Sequence, residues 1–363
     1  MDILEGLQIP DQPTKKVQNS VKKVSVKPVC SDEELEKKEG IYMTEKDVKT
    51  IFNEDVDVYD GETLIAKFRK NVIPKEVIQI GWEAFYETAA TSQKRGAAAG
   101  PIQHKSTYWK KRKPVETNKW STKYIVNGKV SKMKLNNLVF SSILGYFEKT
   151  AFMKLPCRLT SYTQRFFENY KLGIPYIQFL DNCFKILTPT NYAKQLARAK
   201  KNPSYRIDGT AFSSVTINRN FRTALHKDDG DFKEGFGNLS VIERGRYSGG
   251  ETLIPKYGIG FNVRTGDFLA MDVHQFHCNT EMTETESQKE YNKKLPRIHF
   301  DKLTTGTLGS EKKFTRISFV CYLREKLIEC KRSETRKYYS RIKFNETEGS
   351  LKKKSKTKKI KHN

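Results

Sequence analysis

Cysteine is scarce in this 363-residue chain, with six residues at positions 30, 157, 183, 278, 321 and 330. No two form a C-x-x-C pair, and a chain of this length does not depend on disulfide staples. The six therefore read as reduced thiols of an intracellular protein. Long apolar runs are also missing. No stretch approaches the roughly 18 residues a membrane span requires, which argues against a membrane partner. The segment Met1–Asn19 carries early acids and no apolar core, so it does not read as a secretory signal. Apolar residues make up only 37%, which predicts that part of the chain never enters a core. No internal repeat stands out, and nothing in the sequence speaks to oligomeric state.

Acid is in short supply too: 67 Lys and Arg against 42 Asp and Glu leave a formal charge of +25. The excess is concentrated. Between Lys105 and Lys134 there are ten Lys or Arg and one acid, Glu116, and the last thirteen residues hold seven Lys and no acid. Clustered base points to a polyanion, most often nucleic acid. Tyr108, Trp109, Trp120 and Tyr124 lie within the first cluster, where rings among cations suit base stacking beside phosphate contacts. A solvated lysine-rich loop is the alternative. Lys110, Lys111, Arg112 and Lys113 are the candidate phosphate contacts. The tail reads as disordered, with weak phosphate contact or nuclear localisation as its use.

Residues 1–40 mix Pro, Lys, Ser and Glu without periodicity and predict a disordered arm. One domain is expected over 41–345, followed by a disordered Lys-rich tail at 346–363. Thr63–Ile73 suits a strand and Pro74–Ala90 a helix. Leu135–Lys149 predicts a helix, with Leu135, Val139, Ile143 and Phe147 four apart. Helical patterns continue over Ser161–Tyr170, Ile174–Ile186 and Asn191–Lys200. From Ala211 the texture changes to short β-rich runs: Phe212–Asn218, Leu239–Glu243, Thr252–Ile254, Ile259–Val263, Asp267–Met271 and Thr315–Leu323. Turn residues separate them. The expectation is an α+β fold: a double-stranded β-helix (jelly roll) at about 205–325, buttressed by N-terminal helices. A polar insertion at 281–313 interrupts it, as a lid or a disordered loop.

The chemistry-bearing residues fall inside that β-rich region. His226 and Asp228 are two apart, so on an extended chain they point the same way. A second His from a later strand, after Gly266-Asp267, would complete two imidazoles and one carboxylate. That set leaves open positions on the metal and suits non-haem Fe(II) oxygenases. His277 and His274 compete for the place. His277 is preferred because it opens the next segment, whereas His274 sits in the preceding turn. His274-x-x-His277-Cys278 as a zinc site lacks a matching second cluster. On Phe314–Tyr322, alternation puts Arg316, Ser318, Val320 and Tyr322 on one face. An inward guanidinium needs an anion. The far carboxylate of 2-oxoglutarate would supply it, with Ser318 adding a hydroxyl.

These residues carry a resemblance. Thr210-Ala211-Phe212, Asn218–Asp231, Tyr247-Ser248-Gly249-Gly250, Leu253-Ile254-Pro255, Gly266-Asp267, His277-Cys278-Asn279, Arg316-Ile317-Ser318 and the upstream Lys94–Gly100 resemble the TET/JBP family of DNA-base oxygenases, in order and context, over roughly 60–325. The resemblance implies a jelly roll, Fe(II), 2-oxoglutarate and O2, and hydroxylation of a pyrimidine 5-methyl group in DNA. It implies that His226, Asp228 and His277 hold iron and Arg316 the co-substrate, with help from Arg222. It also implies that Asp231 faces the base. Cys278, where a Gly is usual, and the long insertion before Arg316 depart from the pattern. A 2-oxoglutarate oxygenase acting on RNA, alkylated bases or protein side chains is the competing enzyme. A catalytically inactive DNA-binding module is the competing non-enzyme. A protein that acts on DNA is expected in the nucleus or another DNA-containing compartment.

Overall fold

The structure is a computed structural model, and it describes residues 21–88, 91–150, 154–296 and 314–350. Its frame is a ten-stranded sheet. Along the main path the strands run Lys22–Ser25, Val56–Asp60, Thr63–Arg69, Phe268–Met271, Gly237–Arg244, Thr315–Tyr322, Ser214–Arg219, Val139–Phe147 and Arg158–Leu159, with Thr91–Ser92 added beside Val139–Phe147. A four-stranded sheet follows the order Cys278–Asn279, Thr252–Ile254, Ile259–Phe261, Thr50–Phe52. The architecture is α+β, and every β-run expected after Ala211 forms a strand within a few residues of its expected bounds.

Period-two alternation gives the large sheet two different faces. Val215, Ile217, Ile242, Phe268, Ala270, Ile317, Phe319 and Cys321 turn toward the helices Lys75–Phe85 and Phe167–Leu187. Phe319 is fully buried there, 5.6 Å from Phe85 and 5.0 Å from Tyr176, ring centre to ring centre. Each of the Val, Ile and Phe side chains contributes roughly 1.5–3 kcal/mol by burial. The two helices meet closely because each offers a glycine: a Cβ on Gly173 would lie 2.1 Å from the Phe85 ring, and one on Gly81 2.8 Å from the Tyr176 ring. The opposite face packs Leu239, Val241, Leu269 and Met271 against Ile254, Ile259 and Phe261 of the small sheet.

Several expectations are overturned. Leu135–Lys149 is not a helix; Val139–Phe147 is a strand between Ser214–Arg219 and Arg158–Leu159. Positions four apart share a face in a strand as well as in a helix, so that spacing does not discriminate. The β-branched and aromatic content of the run favours the sheet. Phe167–Leu187 is one helix through Pro175, not two. The missing hydrogen bond costs about 3 kcal/mol, offset by the burial of Tyr176, Ile177, Phe179, Leu180 and Phe184.

Residues 21–40 are not a disordered arm: Lys22–Ser25 pairs in parallel with Val56–Asp60. Asp32–Lys38 is a helix with a capping box at Ser31 and Glu34, and Leu35 is buried. Residues 1–20, the insertion at 297–313 and the tail at 351–363 lie outside the described residues. Within the insertion, Glu286–Lys293 is helical. Phe344–Asn345 and Gly349–Ser350 pair, so the first part of the expected tail is folded.

The cysteines are not all free: Cys157 and Cys330 are disulfide-bonded, with Cα atoms 5.8 Å apart. The helix Arg332–Ile342 folds back beside residue 157, where Thr335 donates to the Cys157 carbonyl at 2.6 Å. A bond across 173 residues leaves no local signature. No helix among the described residues is long and apolar enough to cross a membrane.

Candidate metal centre and cavity

The inner face of the large sheet lines a cavity of about 260 Å³. All four residues expected on one face of the last long strand, Arg316, Ser318, Val320 and Tyr322, line it. Thr216 and Asn218 join them from the neighbouring strand, and Ile143 and Phe147 from the next. The strand whose spacing also fits a helix therefore supplies part of the wall.

His226, Asp228 and His277 meet on this cavity, with one ligand atom from each lying within 4.8 Å of the others. His226 follows the strand Ser214–Arg219 in an extended segment, bridged antiparallel to His277. The backbone amides of the two histidines each donate to the other's carbonyl, at 3.0 and 2.9 Å. The rings sit 4.4 Å apart. His226 Nε2 is 3.8 Å from one Asp228 carboxylate oxygen, and His277 Nε2 is 3.7 Å from the other. Each Nδ1 is committed elsewhere: that of His226 donates to the Ala224 carbonyl at 2.8 Å, that of His277 to the Gln275 carbonyl at 2.9 Å. This fixes the tautomer and leaves both Nε2 lone pairs facing the carboxylate, which is how backbone carbonyls commonly orient histidines around a metal.

Electrostatics favour the ligating forms. Burial, then the neighbouring His277, push His226 down to about 4 against the pull of Asp228. Burial raises Asp228, but His277, His226, Arg95 and Arg324 together outweigh it and hold the carboxyl below its usual value. His274 stands outside the cluster, its Nε2 3.4 Å from the Phe232 carbonyl. Asp267 braces a turn, paired with Lys70 at 2.7 Å and accepting from the Asn71 and Arg264 amides.

Arg316 is buried with its Nη2 donating to the Gly250 carbonyl at 3.1 Å. Its Nε has no hydrogen-bond partner among the described residues. A desolvated donor without a partner is costly, and it suits an incoming carboxylate. Arg222 does not join it. It is not among the residues lining the cavity; it pairs with Glu281 at 2.9 Å, donates to the Met43 carbonyl and lies 4.5 Å from the Tyr42 ring centre. Its neighbours Phe221 and Thr223 line the cavity, and the Arg222 Nε is buried without a hydrogen-bond partner among the described residues.

Asp231 is buried on the cavity wall. Burial and the charge of Asp228 push its carboxyl well above the usual range, against Arg324. A divalent ion on Asp228 would offset the second cause.

Two further arginines on the cavity escape the sequence reading. Arg95 has a buried Nε without a partner among the described residues. Arg324 continues the period-two count from Arg316 through Tyr322, so a signal for it exists. Its partner Glu148 lies within a segment whose spacing fits a helix and carries none.

Lys110, Lys111 and Lys113 are on and just past the short helix Thr107–Arg112. Lys110 and Lys111 are exposed, and Arg112 is half-buried, its guanidinium 3.7 Å from the Tyr108 ring centre. The aromatics expected to stack on bases are largely used inside this lobe. Trp109 is buried against Ile102 and Leu135 and donates to Asn137, and Tyr108 and Tyr124 pack around it.

Fold and site together have the form of a cavity oxygenase, with a two-histidine, one-carboxylate cluster suited to a metal. Residues 142–325, just over half of the chain, match the Tet_JBP family, the oxygenase domain of the 2OGFeDO superfamily, and the chain belongs to that family. Oxygenases of this superfamily use Fe(II), 2-oxoglutarate and O2. The chain is similar to thymine dioxygenase JBP1 of Trypanosoma brucei brucei, 36% identical over 154 residues, which cover 42% of this chain and 18% of that protein. It is also similar to the bifunctional helicase and thymine dioxygenase JBP2 of Leishmania infantum, 33% identical over 205 residues, 56% of this chain and 16% of that protein. The matched segments thus span less than a fifth of these relatives. Among solved structures, NgTET1 in complex with 5mC DNA aligns with a TM-score of 0.52 at 12% identity, over 90% of this chain and 92% of that one, a likeness of fold.

Proposed function

We propose that this protein is an Fe(II)- and 2-oxoglutarate-dependent dioxygenase that hydroxylates the 5-methyl group of a pyrimidine in DNA, on a double-stranded β-helix formed by the two facing sheets. One observation carries the reading. The His226–Asp228–His277 cluster and the buried, incompletely partnered Arg316 line the same cavity. Two imidazoles and a carboxylate would hold iron with coordination positions to spare. Arg316, with Ser318 beside it, would anchor the far carboxylate of 2-oxoglutarate. When bound, iron would activate O2, one atom of which would end in succinate as 2-oxoglutarate loses CO2 and the other in the hydroxylated methyl group. The protein's own contribution is position and a water-poor wall: Ile143, Phe147, Leu239, Met271 and Val320 are its apolar parts. The intact cluster disfavours a binding-only module.

The curated relatives are named thymine dioxygenases and the similar solved structure holds 5mC DNA, and thymine and 5-methylcytosine are both 5-methylpyrimidines. A base inside a duplex cannot reach the cluster, so the target nucleotide must flip, at a cost of a few kcal/mol. Lys94, Arg95 and Lys227 on the cavity wall, with Lys110, Lys111, Arg112 and Lys113 on the basic lobe, would hold the flanking phosphates. Such an enzyme works in the nucleus or another DNA-containing compartment. The test is incubation with Fe(II), 2-oxoglutarate and DNA bearing thymine or 5-methylcytosine, followed by digestion and mass measurement of nucleosides. A hydroxymethylated pyrimidine is expected. Its absence, with 2-oxoglutarate consumed on RNA or peptide instead, would move the enzyme to another substrate class.

A further inference from the structure

Arg324 lies eight residues beyond Arg316 on the same run of chain, and it is held very differently. Its Nε donates to Glu148 at 2.9 Å, and its Nη2 pairs with the other oxygen of that carboxylate. The guanidinium lies 4.8 Å from the Phe147 ring centre. It also touches Gly230, where a Cβ would come 2.4 Å from Nη1, so a larger residue there would push the guanidinium aside. Nη1, the nitrogen that Glu148 does not occupy, is 3.9 Å from Asp231 Oδ1. Gly230, Asp231, Phe147 and Arg324 all line the cavity that holds the His226–Asp228–His277 cluster.

We propose that Arg324, clamped by Glu148 onto Gly230, is a specificity-determining residue that reads the 4-position of the target pyrimidine and selects a 4-oxo base, thymine, over the 4-amino base 5-methylcytosine. This rests on the reading of the protein as a pyrimidine 5-methyl oxygenase.

The chemistry runs from the metal outward. A methyl at ring position 5 must point at the cluster, and the nearest polar substituent is then the one at position 4. The guanidinium rests against Gly230, two residues from Asp228, and would face that substituent, with Asp231 one residue farther along. A guanidinium only donates. Thymine presents an acceptor, O4, at position 4, whereas cytosine presents an amino donor. Because two of its nitrogens are fixed by Glu148, Arg324 cannot turn aside. A 4-amino group would meet N–H with N–H and leave buried donors without partners. Thymine's N3–H then falls to Asp231, which keeps an acceptor oxygen in either protonation state. Cytosine's N3 acceptor can be met by a protonated Asp231, but its 4-amino group still meets the Arg324 N–H.

The experiment compares duplex oligonucleotides carrying a single thymine or a single 5-methylcytosine at the same position, with hydroxymethyl product measured by mass. DNA-independent release of succinate from 2-oxoglutarate is followed in parallel. The wild-type protein is expected to favour thymine by about tenfold or more, since one good base-edge contact is worth roughly that much discrimination. Arg324→Gln, whose amide can donate or accept, should bring the ratio toward one. If Arg324→Gln also loses succinate release, Glu148→Gln carries the test: it keeps the arginine, loosens its orientation and should narrow the preference less. A wild-type enzyme that favours 5-methylcytosine overturns the proposal, as does a thymine preference that survives both substitutions. Either result leaves the oxygenase reading standing. Succinate release without a hydroxymethylated pyrimidine on either DNA would instead sink that broader reading.

Discussion

Arg316 and Arg324 face the same cavity from the same run of chain, yet their surroundings are opposites. Arg316 is buried with its Nε lacking a partner among the described residues and a single carbonyl on Nη2. Arg324 is locked by a two-point carboxylate pair, a ring and a glycine. A guanidinium with spare donors in a dry site waits for an anion that comes and goes. One whose donors are mostly spent on the protein is a wall of fixed polarity. Where a cation's hydrogen bonds go therefore separates a co-substrate anchor from a surface that discriminates.

Substitutions can break that contrast. The largest effect should come from the cluster both ends share: His226→Ala or Asp228→Ala should abolish metal binding, measured by titration with Fe(II) or a spectroscopic surrogate. The fall in hydroxylation should exceed the roughly 10–100-fold that follows when a group hydrogen-bonded to a ligand is removed. Activity that survives would mean the metal lies elsewhere. Next, Arg316→Ala should weaken 2-oxoglutarate by about 2–5 kcal/mol, the cost of stranding one member of a buried charge pair. It should appear in KM for 2-oxoglutarate, leaving the choice between thymine and 5-methylcytosine unchanged, whereas Arg324→Gln should do the reverse. Equal effects of both changes on both quantities would erase the distinction.

Smaller effects should follow outside the cavity. Neutralising Lys110, Lys111, Arg112 and Lys113 should weaken DNA binding uniformly across sequences and flatten its salt dependence, by up to about 0.9 in slope for each phosphate no longer neutralised. An unaltered slope would assign these cations to solvent. The smallest concerns pH. Folding depresses His226 to about 4, below the unfolded value near 6.5. Between those values the unfolded chain binds the extra proton, so the metal-free protein should lose stability as pH falls through that window. His226→Asn should remove this part of the slope in thermal melts.

Much of the site is legible because period two survives translation from sequence to sheet. Arg316, Ser318, Val320 and Tyr322 fall on one face and line the cavity, and the same count reaches Arg324. His226 and Asp228 two apart need only an extended backbone. The strand Val139–Phe147 escapes the same reasoning because its apolar spacing of four fits either periodicity. With it goes Glu148, the residue that orients Arg324. The basic lobe's rings are misjudged because composition cannot tell an exposed aromatic from one packed against Ile102 and Leu135.

By itself, the sequence determined the β-rich core, the donor set for a metal, the inward face of the last long strand and the uneven spread of positive charge. Each is a local pattern that a chain of fixed pleat must express. Tertiary structure alone decided that Cys157 bonds Cys330 and that residues 21–40 add a strand and a helix. It also decided that Glu148 grips Arg324 across 176 residues. These are contacts between distant segments, set by which surfaces pack once the sheet closes around its cavity, and no stretch of chain carries them alone.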